Sequence, residues 1–291
     1  MTEARHQRRL AVMRVEVLAE CALPRADRAD VSLTAQWAAF ICLTDDLIDE
    51  HGLGAVPGEL ERFTAGLRQA LVGEGPALRA ANPHAAALAG LWERTAETMS
   101  DRWRERFRQD YGDFLDVTEQ EVALRRDGVR LPLAHYLRLR RRTITLQPML
   151  NVLERTRHAP LVEHPLVDDR LRELQEAAAD IAGWANDLAS AVGDAAAGHD
   201  NLVTVLAREA GCTTAVAVER VTAMIERRRA GFDATAQALR TASGLPDGDA
   251  AAVPRYVDLV EAYKSAALHW LAATGRFVPP PADPGPAPER P

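Results

Sequence analysis

The 291-residue chain has little of several things that would point elsewhere. Its three cysteines, Cys21, Cys42 and Cys212, are odd in number and show no metal-ligand spacing. That excludes a disulfide framework and fits a reducing compartment. Lys264 is the only lysine, and with alanine abundant and arginine supplying every other basic side chain this reads as codon bias. A formal net charge of −7 makes nucleic acid an unlikely partner. No uninterrupted run of 18 or more apolar residues is present, so no membrane span is expected. The opening MTEARHQRRL is charged and leads straight into a helical pattern, which argues against a secretory leader and for a cytoplasmic protein.

Also missing are alternating β-branched runs bounded by turn signals. Long stretches of Ala, Leu, Arg and Glu carry helical periodicity instead, and they predict an all-α fold. Helix breaks are expected near Pro24 and at 51–58, 73–83, 127–132, 158–165, 193–200 and 243–254, where glycine or proline joins polar residues. None is long enough for an interdomain linker. One helical domain over 1–278, a bundle around a central apolar cavity, is therefore expected, followed by a proline-rich, disordered tail at 279–291.

Two polar clusters follow strongly apolar segments. The first, TDDLIDE, ends VSLTAQWAAFICL. Asp45 and Asp49 stand at i and i+4 and share a helix face, with Asp46 turned about 100° away. Like charges at that spacing repel unless a cation lies between them, and a hard divalent ion suits such oxygens. A solvated helix end would give the same pattern, but the apolar segment before it suggests a face opening into a cavity. The second cluster, NDLASAVGD, places Asn186, Ser190 and Asp194 at i, i+4 and i+8, a second oxygen-bearing stripe of lower charge.

In this order and separation the two clusters resemble the metal motifs of class I terpene synthases, with Asp194 where glutamate is more usual. WAAFICLTDDLIDE, HDNLVTVLARE and HWLAATGRF are similar to three further segments of that family, and the likeness covers most of 30–278. It implies a carbon–oxygen lyase that binds three Mg2+ ions through Asp45, Asp46, Asp49, Asn186, Ser190 and Asp194. Such an enzyme ionises a linear isoprenyl diphosphate, C15 or C20, and turns the carbocation into a terpene hydrocarbon or alcohol. Homodimer formation is left open. Phe277 stands where the family has tyrosine, so a hydrogen bond toward the aspartate motif is expected to be missing. Ala191 and Gly193 replace an aromatic residue and a lysine, which removes a phosphate-binding cation.

The resemblance also implies an arginine that senses diphosphate and a nearby carbonyl that assists ionisation. LRLRRRTITLQPML offers Arg140 and Arg141. Pro148 lacks the N–H that would bond the Ile144 carbonyl, one turn beyond Arg140, and this favours Arg140. Arg276 is the other diphosphate ligand expected, since a guanidinium fork suits phosphate oxygens. Trp37, Phe40, Trp184 and Trp270 lie near the motifs and are candidate cavity-lining side chains that would stabilise cations through their ring faces. Each also suits ordinary core packing. Two other readings stay on the table. A chain-elongating isoprenyl diphosphate synthase would carry a second DDxxD, where this chain has NDLAS. A helical scaffold or degenerate relative would leave both stripes merely solvated. His199-Asp200 is read as a helix start rather than a phosphohydrolase metal pair.

Overall fold

A computed structural model describes residues 3–49, 52–56, 58–73 and 82–277, with side chains from Gln7 onward. Twelve helices and no strand occur among these residues. In chain order they are α1 (Glu3–Met13), α2 (Val15–Ala22), α3 (Arg28–Asp49), α4 (Glu59–Val72), α5 (Pro83–Ala96) and α6 (Asp101–Arg126). Then come α7 (Leu133–Thr143), α8 (Leu146–Arg157), α9 (Asp168–Ala197), α10 (Leu202–Ala210), α11 (Thr214–Arg240) and α12 (Asp247–Ala273). The all-α expectation therefore holds. The tail at 279–291 lies outside the described residues.

Local chemistry sets many of the boundaries. Asn82 caps α5, its Oδ1 accepting from the backbone N–H groups of His84 (3.0 Å) and Ala85 (3.1 Å), while Pro83 fills the first position, where no N–H is needed. Ser100 and Thr213 cap α6 and α11 in the same way. Helix α9 ends at Gly198, whose φ of 72° is open to glycine at no steric cost.

Two expected breaks fall differently. The 193–200 segment stays helical to Ala197, because its alanines outweigh Gly193. The 243–254 break closes at Pro246, and α12 starts at Asp247 with Pro254 inside it. The Ala250 carbonyl four residues before Pro254 then loses its intrahelical donor.

α9 is the central element. It packs on α7, α8, α10, α11 and α12, and its middle is buried on all sides from Ala177 to Trp184. Small residues there let neighbours approach. A Cβ on Gly183 would lie 3.5 Å from Arg140 Cγ and 3.7 Å from Ile144 Cβ.

α3 runs beside α2, α5 and α8. It is the one described helix long and apolar enough on average to cross a membrane, which a count of uninterrupted apolar residues did not reveal. Half of that stretch is buried inside the bundle, so a core position accounts for its apolarity. Its aromatic residues meet α5 and α6 in one packed cluster: the Trp37 and Phe107 ring centroids lie 5.2 Å apart, and Trp37 Nε1 donates to Thr95 Oγ1 at 2.8 Å.

Candidate active site

The C-terminal end of α3 carries the aspartates. Asp45 and Asp49 face outward, with 53% and 34% of their side chains exposed, whereas Asp46 is turned inward and only 7% of the residue is exposed. Each has an arginine partner. Arg276, just past α12, donates to both Asp45 and Asp46, the latter at 2.9 Å. Arg9 of α1 donates through Nε to Asp46 Oδ2 at 2.8 Å. Burial works against the Asp46 charge, yet the Arg9 hydrogen bond and the Arg276 charge prevail and hold its carboxyl below the usual aspartate range. Asp49 goes the other way: burial and the nearby Asp45 charge raise it despite Arg125.

On α9, Ser190 Oγ donates to Asp194 Oδ2 at 2.6 Å, so these two oxygens already sit within reach of one cation. Asn201, fully buried at the start of α10, donates through Nδ2 to Asp194 Oδ2 (2.7 Å), Ser190 Oγ (3.3 Å) and the Asp187 carbonyl (2.8 Å). Its Oδ1 meanwhile caps α10. Asn186 turns its Oδ1 to Arg140 Nη2 at 2.9 Å. Asp187, off the stripe, is a structural anchor at 2% exposure. It accepts from Arg140 Nε (2.7 Å), the Tyr136 hydroxyl (2.7 Å) and the Leu202 N–H (3.1 Å).

The two motifs meet at one end of the bundle. Arg125, in the last turn of α6, donates to Asp49 Oδ1 at 2.6 Å and reaches His199 Nε2 at 3.3 Å. The His199 backbone N–H in turn donates to the Asp194 carbonyl at 2.9 Å. Burial and the Arg125 charge both lower the His199 pKa, outweighing the opposite pull of Asp49, Asp194 and Asp45. Asp200 is taken up by Arg130 and Arg208, and Asn201 caps the next helix, so the segment is a helix start.

The two candidate arginines of α7 part company. Arg140 lies against Asn186 and Asp187, and its guanidinium is held firmly charged: burial opposes this, but the Asp187 carboxylate outweighs it. Arg141 turns to Asp180 (2.8 Å) and Glu176 (2.6 Å), in a network that Arg228 joins from α11. Beyond Arg140 the helix breaks at Ile144–Thr145, where Thr145 adopts a left-handed φ of 58°. No intrahelical N–H reaches the Ile144 carbonyl from Pro148, and it accepts instead from the Thr145 hydroxyl at 2.6 Å.

Among the aromatic candidates, Trp37 and Phe40 sit in the α3–α5–α6 cluster, Phe40 with its centroid 4.5 Å from that of His84. Trp270 donates to the Met13 carbonyl at 2.7 Å. Trp184 keeps a buried Nε1 without a hydrogen-bond partner. Phe277 stacks near Arg276, its ring centroid 5.5 Å from the guanidinium carbon, and offers Asp46 no hydroxyl. Ala191 is half-buried and Gly193 exposed.

Among the described residues no three His, Cys, Asp or Glu side chains gather closely enough to hold a metal ion. The donor chemistry nevertheless fits a hard cation, since Asp45, Asp49, Asn186, Ser190 and Asp194 offer carboxylate, amide and hydroxyl oxygen only. Their side-chain partners are arginines, Asn201 and each other.

Residues 36–230 match the family model for terpene synthase family 2, C-terminal metal binding. The chain belongs to the terpene synthase family. This synthase is 32% identical over 273 residues to pristinol synthase of Streptomyces pristinaespiralis, covering 91% of this chain and 73% of that one. It is 32% identical to a (-)-beta-caryophyllene synthase of Saccharothrix espanaensis, across 77% and 64% of the two chains. Its fold superposes with a TM-score of 0.81 on linalool/nerolidol synthase from Streptomyces clavuligerus in complex with 2-fluorogeranyl diphosphate, at 28% identity, covering 93% and 91%. The fold is therefore that of class I terpene synthases.

Sequence reading missed four parts of this synthase's site. Arg9, Arg125 and Asn201 look like ordinary helix-end residues and enter only through tertiary contacts. Glu121, one turn before Arg125 on α6, gave no motif signal. Burial lifts its carboxyl to about 7, with Arg140 and Arg125 pulling down and Asp49 and Asp45 pushing up.

Proposed function

We propose that this synthase ionises a linear isoprenyl diphosphate of C15 or C20 in the presence of Mg2+, releasing diphosphate and a terpene hydrocarbon or alcohol. The observation that carries the proposal is the chain of contacts Asp49–Arg125–His199–Asp194, which brings the two oxygen-bearing stripes to one end of the bundle. Mg2+ bound at Asp45, Asp49, Asn186, Ser190 and Asp194 would neutralise charge developing on the departing diphosphate.

The remaining work falls to side chains of the chain. Arg140 spans Asn186 and Asp187 and is held charged, so it can hand one edge of its guanidinium to a diphosphate oxygen while Asp187 keeps the other. This favours Arg140 over Arg141, whose donors are spent on Asp180 and Glu176. Arg276 is the second diphosphate ligand. The Ile144 carbonyl, freed at the helix break, would face positive charge as the substrate ionises. The name of the caryophyllene synthase specifies cyclisation of (2E,6E)-farnesyl diphosphate, which favours C15 here. A second DDxxD is absent, so chain elongation is not favoured.

The test is incubation with C10, C15 and C20 diphosphates plus Mg2+, with extracts resolved by gas chromatography and mass detection. A terpene product from the C15 or C20 substrate is expected. Absence of product and of released diphosphate at every chain length would refute the proposal.

A further inference from the structure

The first and last described helices are sewn together beside the aspartates. The Met13 carbonyl at the end of α1 accepts from Trp270 Nε1 (2.7 Å) and Thr274 Oγ1 (2.9 Å), and the Val12 carbonyl accepts from the Gly275 N–H (3.0 Å). The approach is close, since a Cβ on Gly275 would come within 3.0 Å of Val12 Cγ1. Met13 is fully buried, and Arg9, one turn earlier, lies on the same face of α1. This seam aims two guanidinium groups, Arg9 from one terminus and Arg276 from the other, at the two oxygens of Asp46.

The two arginines are not equivalent. Arg276 also holds Asp45, whose side chain is half exposed, so that contact is open to exchange. Arg9 is bonded to Oδ2 of Asp46, a side chain only 9% exposed, against 53% for Asp45. We propose that Arg9 is a positioning residue: through α1 it clamps Asp46 and so fixes the last turn of α3, presenting Asp45 and Asp49 when Arg276 turns to diphosphate. α1 thereby becomes a strap whose seating on the bundle is linked to occupancy of the site. This rests on the function proposed above and adds to it a task for the N-terminal helix.

The experiment compares the full-length wild type with Arg9→Gln and Arg9→Lys. Calorimetric titration with inorganic diphosphate in MgCl2 is one readout, and hydrogen exchange of the amides of residues 7–13 with and without those ligands is the other. In the wild type, ligand should slow exchange in α1. Arg9→Gln should weaken Mg2+–diphosphate binding about tenfold and abolish the added protection, in line with loss of a charge-assisted hydrogen bond. Arg9→Lys should recover part of both. Arg9→Gln that binds as the wild type does, or weakened binding that Arg9→Lys does not improve, would overturn the proposal. Should the wild type itself fail to bind Mg2+–diphosphate, the functional reading falls and the strap falls with it.

Discussion

Replacing Glu121 by glutamine should stabilise the metal-free protein at neutral pH, although it removes a charge that two arginines attract. Burial raises the folded-state pKa of this carboxyl to about 7, against 4.5 for an ordinary glutamate. The sign follows from linkage. Between those two values the unfolded chain has released its proton and the folded chain has kept it, so stability falls as pH rises, by about 1.4 kcal/mol for each pH unit. Partial solvent contact of the side chain trims the total to roughly 2–3 kcal/mol. Glutamine keeps the shape and has no proton to lose. Thermal melts followed by circular dichroism in EDTA should therefore find Glu121→Gln and wild type nearly equal at pH 4.5. By pH 7.5 the variant should melt about 3–5 °C higher, from the entropy of unfolding expected for a chain of this length. A gap that does not change with pH, or a variant less stable at pH 7.5, would refute the placement of Glu121 in a desolvated pocket between Arg140 and Arg125.

Arg140→Gln should cut turnover at least about a hundredfold and also cost about 3 kcal/mol of stability, because it leaves the buried Asp187 carboxylate without its charged partner. Arg141→Gln should cost about 1–3 kcal/mol of stability through the Asp180 network while leaving turnover within a few-fold; steady-state kinetics beside thermal melts separate the two. Asn201→Ala removes a helix cap and three donor contacts, two of them to the side chains of the second metal motif. It should lose roughly 2–3 kcal/mol of stability and raise the Mg2+ concentration for half-maximal activity, read from a metal titration. Thr95→Val strands the indole N–H of Trp37 and should cost about 1–3 kcal/mol by urea denaturation without altering the Mg2+ requirement.

The helical class, and the membership of Asp45, Asp49, Asn186, Ser190 and Asp194 in two stripes, were legible because i, i+4 spacing is local geometry. Between Arg140 and Arg141 the sequence offers only Pro148, a backbone argument for Arg140 that does not depend on knowing the partner helix. Arg9 and Arg125 were not legible: they lie 37 and 76 residues from the aspartates they bind, and nothing local marks them. Asp187 lies off the stripe, and that same turn of the helix points it inward to Tyr136 and the start of α10. The helical course of 193–197 follows from alanines that outweigh Gly193, whereas the burial of Ala252 and Val253 carries α12 through Pro254.

The account stands on cations joining the stripe at the end of α3 to the stripe on α9. Anomalous diffraction from crystals soaked with Mn2+ and inorganic diphosphate locates such ions directly. Peaks within coordination distance of Asp45 and Asp49, and of Asn186, Ser190 and Asp194, with diphosphate between them and Arg140 at its edge, are the expected result. Diphosphate bound elsewhere, or manganese absent from the α9 stripe, would contradict it.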